Sequence, residues 1–147
     1  AWLVAGVIAA AATAAFAWRP LIGAEERAVL AAEPWSEARV SALRNEGRAV
    51  FVNFTAAWCV TCKVNEALVF SRPAVTQSFA ETNTAYLVAD WTNRDPEIAA
   101  VLDAHQWPGV PLYLYFPPDP AAPARVVPLE GFSERVVLEV LQGGDSQ

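Results

Sequence analysis

Cys59 and Cys62 are the only cysteines of this chain, and they stand three residues apart in Trp58-Cys59-Val60-Thr61-Cys62-Lys63. An apolar, strand-like run over residues 49–54 precedes them, and a helical pattern follows. A dithiol where a strand hands over to a helix suits redox chemistry. The unpaired N–H groups and positive dipole end of a helix start favour a thiolate. Such a thiolate attacks a disulfide, and the second thiol then resolves the mixed disulfide. Cys59, at the helix start, is expected to be exposed and to attack. Cys62, one turn further in, is expected to resolve.

Two other uses of the pair compete with this one. Half of a zinc site is the first, but zinc usually takes four ligands. The chain adds a single histidine, His105, so carboxylates would have to complete the set. A bracing disulfide is the second. It would close a very short loop, and short loops gain little from cross-linking. No metal and no cofactor is therefore expected, and His105, near a helix end, receives no catalytic role.

The 147 residues suffice for one domain and an extension, and 54% hydrophobic content supports a core. Residues 1–18 carry no charge and one hydroxyl, Thr13, with Trp2 and Trp18 at the ends. As a helix they would span about 27 Å, near the thickness of a bilayer's hydrocarbon, with interfacial aromatics at both edges. A transmembrane helix over 1–18 is the preferred reading. A signal-peptide core ending at Ala15-Phe16-Ala17 is the rival, weakened by the lack of a basic leader. An alanine-rich core helix is a third reading, and no polar face supports it. With no methionine at all, the chain is expected to begin inside a longer protein or to have been processed. The net charge of −6 and the absence of a basic cluster argue against nucleic acid as a partner.

Pro20 and Gly23 mark residues 19–33 as a juxtamembrane linker, and the folded domain is expected over 34–147. Ser36 is placed as the cap of a helix carrying Val40 and Leu43 and ending near Gly47. A buried strand follows over 49–55. A helix over 60–71 is expected to turn Val64, Leu68 and Val69 inward, with Pro73 interrupting before 75–80 continues. Then come a strand over 85–89, a helix from Asp95-Pro96 to His105 carrying Ile98, Val101 and Leu102, and a strand over 112–116. A proline-rich turn leads to a strand over 125–129, and Ser133 is placed as the cap of a last helix over 134–141. Early strands joined through helices imply parallel pairing. The last two form a hairpin, giving a mixed sheet with helices on both faces.

That order and Trp-Cys-x-x-Cys-Lys resemble the thioredoxin fold over roughly residues 34–142. A distant motif adds to the resemblance: Gly109-Val110-Pro111, just before the strand at 112–116. In thioredoxin-like proteins a cis-proline there lies against the dithiol and seats the substrate backbone. The resemblance thus implies a cis Pro111 and a substrate-binding place for Val110. Residues 51–66, with Asp90-Trp91-Thr92-Asn93-Arg94-Asp95, look like the C-terminal domain of the thiol:disulfide interchange protein DsbD, nearest to the branch named ScsB, which is linked to copper tolerance. The fold class implied is α/β, a thioredoxin-like fold preceded by a transmembrane helix. The family's activity is protein-disulfide reduction. Its electrons come from the protein's own membrane domain and pass to an N-terminal periplasmic domain or a periplasmic thiol-disulfide protein. The implied location is a bacterial inner membrane, anchored through 1–18, with the soluble domain facing the periplasm.

One position departs from that pattern. Many relatives carry a buried Asp where Asn53 stands, and Asn accepts no proton. Glu66 lies four residues after Cys62, on the same helical side, and the family has an acidic modulator of thiol pKa there. A tuning Glu66 and a solvated surface Glu66 both remain open. Val60-Thr61 carries no charge, so nothing between the cysteines builds the stabilised thiolate of a strong oxidant; Lys63 is expected to point to solvent. Trp58 is expected to pack over the dithiol and line the partner surface, and Trp35, Trp91 and Trp107 are expected to pack in the core. The competing functions are a stand-alone anchored thioredoxin serving one pathway, such as cytochrome maturation, and a non-catalytic thioredoxin-fold binding module.

Overall fold

The computed structural model of the chain describes residues 30–143. The expected membrane helix over 1–18 lies outside the described residues, as does most of the 19–33 linker. Among the described residues no helix is long and apolar enough to cross a membrane.

Five strands form one sheet: β1 (Ala32–Pro34), β2 (Val50–Thr55), β3 (Ala85–Asp90), β4 (Leu112–Phe116) and β5 (Arg125–Val126), in the order β1-β3-β2-β4-β5. β3 runs parallel to both β1 and β2. β4 runs antiparallel to β2 and to β5. The helices are α1 (Glu37–Asn45), α2 (Val60–Asn65, continued by a π turn at Glu66–Phe70), α3 (Pro73–Glu81), α4 (Pro96–Ala104) and α5 (Glu134–Leu141). The mixed sheet and the closing β4–β5 pair match the sequence reading.

Every residue of β2 is buried, as a central strand covered on both faces must be. Alternation sends Val50, Val52 and Phe54 to one side, where they join Val40 and Leu43 of α1 and Ile98 and Leu102 of α4. Phe51 faces the other way. It packs with Phe70, Phe79, Tyr86 and Tyr113 at ring-centroid distances of 5.6–6.3 Å, against α3 and α5. Trp35, Trp91 and Trp107 are partly buried against the α1/α4 cluster, as expected.

Four local expectations are corrected. The sheet begins at Ala32, inside the segment read as linker. β5 stops at Val126 instead of reaching 129. Ser133 occupies the N-cap position of α5 without a side-chain capping bond, whereas Ser36 Oγ does accept from the Arg39 N–H at 3.1 Å. Val64 and Leu68 are exposed, at 47% and 57%. Cys62 faces the interior, and a residue two places on points roughly 200° away. The inner face of α2 and its π turn therefore carries Cys62, Val69 and Phe70.

Candidate active site

β2 ends at Thr55, and Ala56-Ala57-Trp58 carry the chain to the start of α2 at the carboxyl edge of the central strand. Cys59 and Cys62 are joined there in a disulfide, with Cα atoms 5.3 Å apart. Cys59 is the N-cap residue of α2, with extended backbone, and the Cys62 N–H points at its Sγ from 3.2 Å. That contact aims a free N–H of the helix start at the first sulfur, which favours negative charge on it. Cys62 is fully buried. Cys59 is 7% exposed, so the expected open sulfur is the less covered of two buried ones. Ala56 and Val110 pack over the pair.

The cover over Cys59 comes from the loop before β4. The Val110–Pro111 bond is cis, as expected. The Val110 carbonyl oxygen lies 3.7 Å from Cys59 Sγ. The Trp107 indole N–H donates to the Pro111 carbonyl at 2.9 Å and fixes the loop from behind. On the other side of the mouth stands Trp58, 48% exposed. Its indole N–H donates to the Thr92 carbonyl at 3.2 Å, and the Ala57 N–H donates to Thr92 Oγ1 at 2.8 Å. Thr92 in turn donates its N–H and hydroxyl to Asp90 Oδ1, and those two bonds hold the Asp90 carboxyl below its usual pKa. Arg94 lies over both Trp58 and Trp91, 4.5 and 4.4 Å from the ring centroids. Sequence reasoning missed this Thr92–Arg94 support. Its only trace was the run of residues 90–95, noted for its likeness and given no task.

Behind the pair the chemistry is polar. Asn53 is 1% exposed, and its Nδ2 donates to the Tyr86 hydroxyl at 2.8 Å. Asn53 Oδ1 has no partner among the described residues. Burial raises the Tyr86 pKa far above the ordinary phenol value, although the Asn53 bond opposes it. Asn53, Thr55, Lys63, Glu66, Tyr86 and Asp90 share the lining of a cavity of about 450 Å³. Glu66 is not in the buried surroundings expected for it. Its side chain is 32% exposed, with Lys63 Nζ at 2.8 Å and the Thr55 hydroxyl at 2.9 Å. Lys63, half exposed, is thus tied to Glu66 rather than free in solvent.

A disulfide-forming pair at the N-terminus of a helix, beneath a cis-proline loop and at the edge of a central parallel strand, defines a thiol–disulfide oxidoreductase. The chain belongs to the thioredoxin-like family, whose model matches residues 31–118. Among curated proteins it is similar to the thiol:disulfide interchange protein DsbD of Photorhabdus laumondii, 32% identical over 82 residues, covering 56% of this chain and 14% of that protein. DsbD 2 of Pseudomonas aeruginosa is 27% identical over 132 residues, covering 80% of this chain and 22% of that protein. The chain thus spans under a quarter of the length of these relatives. Among solved structures, the oxidised C-terminal domain of Neisseria meningitidis DsbD superposes with a TM-score of 0.56 at 22% identity, covering 74% of this chain and 91% of that one. A thioredoxin from Thermus thermophilus gives 0.61 at 22% identity, covering 78% and 86%. At such identities the structural likeness is one of fold.

Proposed function

We propose that the chain is the extracytoplasmic end of a membrane electron relay, a protein-disulfide reductase of the DsbD kind. The observation that carries this is Cys59 Sγ at the α2 N-terminus, 3.2 Å from the Cys62 N–H and under the Val110–Pro111 loop. In the reduced pair the Cys59 thiolate attacks one sulfur of a partner's disulfide. A mixed disulfide forms, and the partner's other sulfur leaves as a thiolate. Cys62 loses its proton and attacks Cys59 Sγ. The mixed disulfide breaks, the Cys59–Cys62 disulfide forms, and the partner departs as a dithiol with two electrons gained. Pro111 and Val110 seat the partner's backbone, and Trp58 lines the docking surface. Glu66, one helical turn after Cys62, tunes that thiol and receives its proton.

The direction is reduction, because the uncharged Val60-Thr61 pair offers a thiolate no further stabilisation. The donor is the protein's own membrane domain, reached because residues 1–18 anchor the chain in a bacterial inner membrane with this domain in the periplasm. The acceptor is an N-terminal periplasmic domain or a separate periplasmic thiol-disulfide protein. The likeness of residues 51–66 supports a place nearest the ScsB branch of that family.

Equilibration of the chain with glutathione tests the direction. The potential should lie well below the roughly −120 mV of a strong oxidant and nearer about −270 mV; a value at the oxidant end refutes the relay. Single-turnover assays test the tether to a donor. Each molecule should reduce one partner disulfide and stop, whereas sustained turnover without an upstream dithiol would identify a stand-alone anchored thioredoxin.

A further inference from the structure

The loop between β3 and α4 is held more firmly than turning the chain requires. Among the described residues three other than glycine have positive φ: Asn83 at 52°, Arg94 at 60° and Gln106 at 53°. Asn83 and Gln106 each follow a helix end, where left-handed backbone commonly closes the last turn. Arg94 follows no helix. It precedes Asp95, the N-cap of α4. A bulky residue in that region persists only where its surroundings hold it. Here the Arg94 N–H donates to the Trp91 carbonyl at 3.0 Å, and Thr92 is bonded to Asp90, Ala57 and Trp58.

That backbone serves to aim one side chain. The Arg94 guanidinium lies over both Trp58 and Trp91, whose rings meet each other at a centroid distance of 6.1 Å. Other arginines occupy their N–H groups: Arg39 on Glu33, Arg44 on the Pro117 and Ala122 carbonyls, Arg135 on Glu139. The Arg94 side chain has no hydrogen bond or ion pair among the described residues. The neighbouring carboxylates are engaged, Asp90 by Thr92 and Asp95 by the N–H groups of Glu97 and Ile98. The stack also sits at the mouth. Trp58 precedes Cys59, and the Trp91 ring lies 3.8 Å from where a Cβ on Gly109 would stand, one residue from Val110.

We infer that Arg94 reads the partner: stacked over two adjoining indoles with its N–H edge unoccupied among the described residues, it takes the carboxylate of an acidic side chain close to the partner's reactive cysteine. A guanidinium fork matches a carboxylate in two parallel hydrogen bonds and stacks on aromatic faces without losing those donors. Stacking has already removed its rotamer freedom, so less ordering remains to be done on binding. The chain's net charge of −6 repels an acidic partner at long range. The contact therefore selects at the mouth and does not speed the approach. The inference rests on the reductase reading, and the test separates the two.

The 147-residue chain, reduced in detergent and freed of reductant, is mixed with either of two disulfide-bonded peptides. They differ by Glu or Gln two positions from the cysteine. The Glu peptide should be reduced roughly fivefold faster at low salt, the scale of a partly exposed ion pair, and the ratio should shrink as salt is added. Arg94→Gln should bring the ratio to about one, Arg94→Lys should keep part of it, and Arg135→Gln, on α5, should keep all of it. A wild-type ratio near one overturns the inference, as does Arg94→Gln slowing both peptides by the same factor. Loss of binding to anionic phospholipid vesicles in Arg94→Gln, without any peptide preference, overturns it in favour of a headgroup. A wild type that reduces neither peptide removes the reductase reading, and this inference with it.

Discussion

On the mouth side of the disulfide, Trp58, Trp91 and Val110 make an apolar rim fixed by Thr92 and Trp107. On the far side, Asn53, Thr55, Glu66 and Tyr86 help line a cavity in which Asn53 Oδ1 finds no partner among the described residues. Apart from the buried Trp91 indole N–H, which has no partner among the described residues, the rim's polar atoms are bonded in series, which suits a surface that must present one shape to a partner's backbone. The cavity keeps spare acceptors, which suits a place where protons come and go. The two sulfurs divide the same way. Cys59 meets the rim, and Cys62 is buried beneath it. Attack and resolution are thus tuned by different neighbours, and substitutions on the two sides should fail differently.

The sharpest break separates the cysteines themselves. Cys62→Ala should accumulate mixed disulfides with partner proteins, and Cys59→Ala should capture none and lose all turnover. Non-reducing gels of each variant decide it, and capture by the Cys59 variant would invert the assignment. Next in size is Asn53→Asp, which puts a carboxyl at a site 1% exposed. Burial raises the folded pKa of that carboxyl above its unfolded value. The penalty is therefore absent below the unfolded pKa and grows until pH passes the folded one. Roughly 2 kcal/mol of stability should be lost at neutral pH, with part returned if the Tyr86 hydroxyl donates to the new carboxylate. Urea midpoints at about pH 3 and 7.5 should show the variant near wild type in acid, below the unfolded carboxyl pKa, and well below it at the higher pH. An equal loss at both would mean that the cavity hydrates the charge.

The mouth was more legible in sequence than the cavity, for reasons of range. Cys59, Cys62 and the helix start lie within a few residues of one another, and Pro111 announces itself by preceding a strand. The Arg94 stack depends on β2 and β3 lying side by side, which no local pattern encodes. β1 escaped notice because Ala32, Glu33 and Pro34 show no strand alternation; an edge strand borrows its order from β3. Val64 and Leu68 misled because apolar type was weighed above helical phase, although an inward Cys62 already turned them outward. Lys63, on the same helix, was not foreseen as the ion-pair partner of Glu66.

A smaller effect is expected from Glu66→Gln. Removing a negative charge one helical turn from Cys62 should lower that thiol's pKa, by less than one unit across a partly exposed path. The pH profile of disulfide exchange should move to lower pH by that amount. Loss of the Lys63 pair should change stability by only about 0.5 kcal/mol. An unmoved profile would reduce Glu66 to a surface ion pair and leave the cavity without its acid.

The smallest effect on turnover is expected at the rim's fastening. Thr92 donates two hydrogen bonds to Asp90 and accepts one from the Ala57 N–H. Those donations keep the Asp90 pKa below its usual value, so Asp90 contributes stability above its unfolded pKa and loses it as pH falls through the folded one. Thr92→Val keeps the shape and deletes the hydroxyl. It should cost about 1 kcal/mol at neutral pH. The cost should shrink below about pH 4, where protonation of Asp90 weakens the same bonds in wild type. Thermal melts across that range check the sign. The Trp58 indole N–H reaches the Thr92 carbonyl, which valine retains, so single-turnover reduction should slow less than stability falls. A reduction rate that drops more steeply than stability would mean that the Thr92 hydroxyl orders the Trp58–Arg94 stack itself, and that the rim is set by one side chain instead of by the loop's backbone.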